Sequence, residues 1–165
     1  MTDDWEASAI FNSALETGLR SVCILTAGYS INFDLQQLLA FDHIVVHSGD
    51  VAGGPSSLHP DVSHRNGELL VRRPLVHNGL MLMESKGLVS REASSVGIQY
   101  YASEFAPVFV ESLTNEYIMA LMERSRWAIE TYKNLGANLF QQVFNTAFDR
   151  WTSEFQFTAL SIGGE

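Results

Sequence analysis

The residues best equipped for chemistry fall between positions 43 and 64. His43 and His47 stand four apart, so on a helix their rings share one face, and Asp50, His59, Asp61 and His64 follow. Histidine and aspartate at this density suggest a zinc hydrolase, which needs about three protein ligands, an open coordination position and a nearby general base. An H-x-x-x-H spacing with no following glutamate supplies only part of that set. The competing reading has no metal and no cofactor: His47, Asp50, His59 and Asp61 structure a loop by hydrogen bonding to its turns and backbone. Serine, histidine and aspartate are all present, but no nucleophile-elbow sequence is, and Cys23 lies in an apolar stretch where a buried thiol is inert. GGPSSLHP is glycine-rich yet lacks the lysine and spacing of a P-loop, so nucleotide binding is not expected of this chain. On these grounds the chain is not expected to be an enzyme.

A second set is basic. Arg72, Arg73, Lys86 and Arg91 could neutralise phosphates, each contact releasing counterions. No paired asparagine and arginine supplies a base-reading pattern, and the same four cations fit solvated charges or ion pairs with an acidic partner equally well.

These residues need elements to position them. Leu75, Leu80, Leu82 and Met83 recur at helical spacing, and Pro74, with fixed φ and no N–H, is expected to open that helix. Gly87 suits a left-handed stop, with Leu88 packing back on the last turn. Val89 to Glu92 and Ile98 to Ala102 then pair as strands around a turn containing Ser94, Ser95 and Gly97. A helix running into such a hairpin predicts a winged helix with the turn as its wing.

Upstream, Ser13 and Glu16 form an S-x-x-E capping box for a helix over 14–27 with Leu15, Leu19, Val22 and Leu25 as its buried stripe. Asp34 and Gln37 repeat the box less strongly for a second helix ending near His47. Ser48 to Asn66 is expected as a long loop, a length often tied to function. Downstream, Ser103 is expected to cap a short helix through Phe109 and Leu113, followed by a helix from about Asn115 to Leu135. Beyond Gly136, Leu139, Phe140, Val143, Phe144, Phe148 and Trp151 form an apolar stripe that must be covered, by the rest of this chain or by a partner's groove. Trp5, Trp127 and Trp151 suit core or interface anchors better than base-stacking platforms.

Composition sets the outer bounds. Nineteen acidic residues against ten basic ones give a net charge of −9, against a protein whose whole surface grips nucleic acid. Residues 1–64 carry eight acids and one arginine, whereas 65–91 carry five bases and two acids. A single cysteine, an acidic N-terminus unlike a signal peptide and no long uncharged apolar run predict a cytoplasmic protein without a membrane span. The mean hydropathy of +0.03 is high for a lone domain and predicts apolar surface that meets a partner.

The ordered runs DHIVVHSGDVAGGPSSLHPD, GELLVRR, GLMLMESKGLVSR and GIQYYAS, with Trp151, Glu154 and Phe155 in the tail, carry a resemblance over nearly the whole chain. It resembles the middle component of bacterial ABC three-component systems. The resemblance implies a small winged-helix-like accessory subunit accompanying an SMC/Rad50-like ATPase and an effector subunit, in anti-phage or anti-plasmid defence of the Lamassu type. It further implies a non-enzymatic role joining ATPase to effector.

The expected fold is therefore mainly α with a small β-hairpin, a winged-helix-like domain over 1–113 and a C-terminal helical extension over 114–165. The expected function is a bridging subunit, with Arg72, Arg73, Lys86 and Arg91 touching DNA or a partner, and the stripe from Leu139 to Trp151 docking one. Two alternatives stay open: a stand-alone winged-helix regulator binding an operator as a dimer, and a metal-dependent hydrolase built on His43, His47 and His59.

Overall fold

The computed structural model describes residues 13–60 and 65–143, the side chains of 65–71 excepted. Trp5, Asp61, His64, Phe144, Phe148, Trp151, Glu154 and Phe155 lie outside the described residues.

Helix α1 spans Ala14–Ala27 and helix α2 spans Leu35–Val46. Their caps reverse the expected order of strength. Asp34 makes the full capping box, its carboxylate accepting from Gln37 N at 2.7 Å while Asp34 N donates to Gln37 Oε1 at 2.9 Å. At α1 Ser13 Oγ accepts from Glu16 N at 3.2 Å, but the Glu16 carboxyl interacts with Arg20 and Tyr117. The expected stripe of α1 also fails at Leu15, which is 58% exposed. The reason is position: every residue from Arg20 to Leu25 is buried, so α1 is a central helix and not an amphipathic cover.

Helix α3 runs Arg65–Ser85 with Pro74 inside it, which corrects both the expected start at Pro74 and the expected loop end at Asn66. An interior proline removes one i→i−4 hydrogen bond and commonly costs about 3 kcal/mol. Pro74 sits on the exposed side, while Val76, Leu80 and Met83 bury against α1 and α2 and stabilise the helix across it. The α1–α3 crossing is backbone on backbone: a Cβ added at Gly79 would lie 2.6 Å from Gly18 N, and one at Gly18 would lie 2.8 Å from Gly79 O. Glycine at both positions permits this closeness. Helix α3 ends as expected, with Gly87 at φ 73° and the paired bonds Gly87 N to Glu84 O and Leu88 N to Met83 O, both 3.0 Å.

Strands β1, Val89–Ser94, and β2, Gly97–Ala102, form the antiparallel hairpin, slightly longer than expected, with Ser95 and Val96 at the tip. Phe33, between α1 and α2, adds an antiparallel bridge to Tyr100 through reciprocal bonds of 3.0 and 2.7 Å. The order helix, bridging residue, helix, helix, hairpin gives a winged-helix-like arrangement. Helix α4, Ala106–Ser112, follows with Phe105 at its N-cap. Ser103 does not cap it; its Oγ donates to Gly87 O at 2.6 Å and accepts from Phe105 N, tying the hairpin's exit to the end of α3.

Helix α5, Glu116–Leu135, is capped by Asn115 and packs along α1 and α2 with Leu121, Ala128 and Ile129 fully buried. The chain continues helically over 137–143. Phe140 meets Phe41 edge-on at 5.1 Å and Tyr132 at 5.0 Å, and Phe33 meets Phe41 at 5.0 Å. This aromatic cluster seats residues 137–143 on α2 and α5. No described helix is long and apolar enough to cross a membrane.

Candidate functional site

The densest concentration of ionisable groups is internal. Arg20 on α1, Asp42 on α2 and Arg72 on α3 are 1%, 0% and 3% exposed. Arg20 Nε donates to Asp42 Oδ1 at 2.8 Å, and Arg72 Nη1 donates to Asp42 Oδ2 at 2.7 Å. One carboxylate therefore joins three helices. Burial alone raises the Asp42 pKa, but the two guanidinium groups outweigh it and hold the carboxyl below the usual range. Asp42 also keeps Arg20 charged against the same desolvation. Arg72, expected at a phosphate or partner surface, is committed to this interior contact because its side chain projects between α3 and α2. That corrects its place in the basic set.

The histidines line the next layer. His47 closes α2 and is fully buried, with its ring 4.9 Å from His43 and 6.2 Å, edge-on, from His59. His43 Nε2 lies 3.4 Å from Asp50 Oδ2 in the 3-10 turn Ser48–Asp50. His59 shares a 2.6 Å hydrogen bond with the Tyr117 hydroxyl on α5, while Leu58 N and His59 N both donate to Val46 O at 3.0 Å. Arg124 Nε donates to Ser56 O at 3.1 Å. Residues 47–60 thus form a strap fastened to α2 at one side and to α5 at the other. Burial, with Arg20 and Arg72 nearby, pushes His59 down to about 4, and burial pushes the Tyr117 hydroxyl up to about 12. At neutral pH both are uncharged. Among the described residues no group of three or more His, Cys, Asp and Glu stands together as a metal site.

The remaining expected residues divide between surface and interior. Arg73 on α3 and Lys86 in the turn just after it are exposed, thirteen residues apart and so about 20 Å along the helix axis. Arg91 on β1 is 48% exposed and pairs with Glu84 at 3.2 Å. Three exposed bases at this separation make a sparse electrostatic footprint. Leu139, Phe140 and Val143, expected to dock a partner, are 0%, 8% and 8% exposed within the chain's own core. All three belong to the buried core, Phe140 through the aromatic cluster, so that part of the stripe is internal. Burial pushes the Cys23 thiol up to about 12, which leaves it unreactive.

Sequence reasoning missed Arg20, Asp42, Tyr117 and Arg124. A signal for the first two was present: Arg20 is the only base in residues 1–64, and Asp42 interrupts the apolar run LLAFDHIVV. A charge inside an apolar helical run asks for an opposite charge. Tyr117 and Arg124 carried no comparable signal, because their partners lie 58 and 68 positions away. What this arrangement does chemically is hold three helices and the strap in one relative position.

No curated protein and no solved structure matches the chain. A family model does, over residues 10–154. With a mainly helical, hairpin-bearing fold whose buried charges are committed to one another, the chain belongs to the family described as ABC-three component (ABC-3C) system Middle Component 2, an accessory component of a multi-component system.

Proposed function

We propose that this chain is the non-catalytic bridging subunit of a cytoplasmic, Lamassu-type defence complex, joining an SMC/Rad50-like ATPase to an effector subunit such as a nuclease. The observation that carries the reading is how polar and apolar groups are distributed. Arg20, Asp42, His43, His47 and Arg72 are buried, whereas Phe105, Val108 and Met119 are 65%, 70% and 61% exposed. Chemically capable groups turned inward and large apolar groups turned outward make the surface of a binder. In this reading the winged-helix-like unit is 1–113 and the extension 114–165, and among the described residues the two meet where α5 packs along α1 and α2. DNA contact in the assembled complex falls to Arg73, Lys86 and Arg91; three such contacts give a shallow salt dependence, a log–log slope of about −3.

The test is co-purification of the tagged chain expressed with the other two components, followed by mass measurement of the intact assembly. A stable complex containing both is the expected result. A lone dimer that ignores both components and shifts operator DNA would overturn bridging in favour of a stand-alone regulator.

A further inference from the structure

We propose that α4 and the clefts on its two sides form a docking surface for a segment of a partner protein that is apolar and flanked by lysine or arginine. The inference rests on the bridging reading and names the surface that does the bridging. Helix α4 links the hairpin to α5 and buries Ala106 and Val110, while its outer face leaves Phe105 and Val108 more exposed than almost any other large apolar side chain described. Met119 on α5 is 61% exposed, across a cleft of about 310 Å³ that it lines with Pro107, Val110, Leu113 and Met122. On the other side Phe105 borders a cleft of about 510 Å³ at the base of the hairpin, with Tyr29, 51% exposed, and Tyr101. A ridge between two hollows offers knobs and holes to an incoming chain.

Charge decides what comes in. Residues 103–116 carry Glu104, Glu111 and Glu116 and no base, and all three glutamates are exposed. Arg126 lines the first cleft from α5, one turn beyond Met122. An apolar ridge with an acidic rim repels phosphate backbones and is complementary to a basic, apolar polypeptide. Arg73 lies more than a dozen residues up α3 from Gly87, which lines the second cleft, so of the exposed pair Arg73 and Lys86 only Lys86 comes near this surface.

The probe is the pair of other components of the system, co-expressed with tagged variants and captured at 0.1 and 0.5 M salt after nuclease treatment. Phe105→Asp with Val108→Asp is expected to weaken capture of one component by about 30-fold or more, the scale of an interface hot spot. Glu104→Lys with Glu111→Lys is expected to weaken the same capture, more so at 0.1 M salt. Val96→Asp, at the 77% exposed hairpin tip, serves as the control and leaves capture unchanged; all variants are checked for wild-type melting. If wild type captures neither component, bridging fails and this assignment with it. If wild type captures both and the Phe105/Val108 variant does too, the docking surface alone is overturned. Stronger capture by the charge-reversed variant, or capture that vanishes with nuclease, overturns the basic-polypeptide assignment.

Discussion

Replacing Asp42 by asparagine isolates the charge that joins α1, α2 and α3. The amide nearly matches the carboxylate in volume, so no cavity opens and repacking contributes little. What changes is that Arg20 and Arg72, 1% and 3% exposed, face a neutral dipole in place of the anion they shared at 2.8 and 2.7 Å. Removing one partner of a buried ion pair costs about 3–5 kcal/mol, because the remaining charge stays desolvated. Against a typical domain stability of about 5–15 kcal/mol that is a large fraction. Urea unfolding is the assay: with a slope of about 1–3 kcal/mol/M, the midpoint should fall by at least about 1 M. Acid unfolding supplies a second readout. The two guanidinium groups hold the Asp42 pKa below the ordinary carboxylate range in the folded state, so its contribution is full above the unfolded pKa and is lost as pH falls through the folded one. Asp42→Asn removes that part of the acid limb. An unfolding free energy within about 0.5 kcal/mol of wild type at pH 7 would refute the reasoning, since two buried guanidinium groups would then need no counter-charge. Replacing Arg20 and Arg72 by methionine alongside should recover most of the loss, because apolar substitutes carry no desolvation penalty.

Three further outcomes follow from the packing and the strap. Gly79→Ala places a methyl group 2.6 Å from Gly18 N, and helix separation should lower stability by about 1–3 kcal/mol, read by thermal melting. Leu139→Ala should lower stability by about 2–5 kcal/mol because Leu139 is fully buried; a folded variant of unchanged stability that had lost a partner would return this position to the surface. His59, pushed from 6.5 to about 4 by burial and the nearby arginines, binds its proton more readily when unfolded. Stability should therefore fall as pH drops from 6.5 towards 4, and His59→Gln should flatten that part of a melting-temperature series.

Burying Arg20, Asp42 and Arg72 together carries a desolvation penalty that an apolar trio would avoid. Its return is directional: a carboxylate with one oxygen committed to each guanidinium accepts one relative placement of α1 and α3, where apolar contacts tolerate sliding. The Gly18–Gly79 crossing imposes the same requirement sterically. The bridging role proposed above would draw on that rigidity, because a contact made at one face keeps a fixed distance to a contact made at another.

What the sequence determined by itself is local. Helix boundaries at Ala14, Leu35 and Glu116, the stop at Gly87 and the Val89–Ala102 hairpin were legible because caps, left-handed glycines and turns act within about four residues, so neighbouring side chains decide them. The ordered motifs likewise carried family membership. Tertiary structure alone decided the rest. Pro74 lies within α3 because burial of Val76, Leu80 and Met83 outweighs one lost backbone bond. Arg72 is internal because Asp42, 30 positions earlier, is brought to it only when α2 and α3 pack. Phe140 is core because Phe41 and Tyr132 reach it from two helices. An apolar stripe or a charge states what it needs, and only the assembled chain determines which partner supplies it.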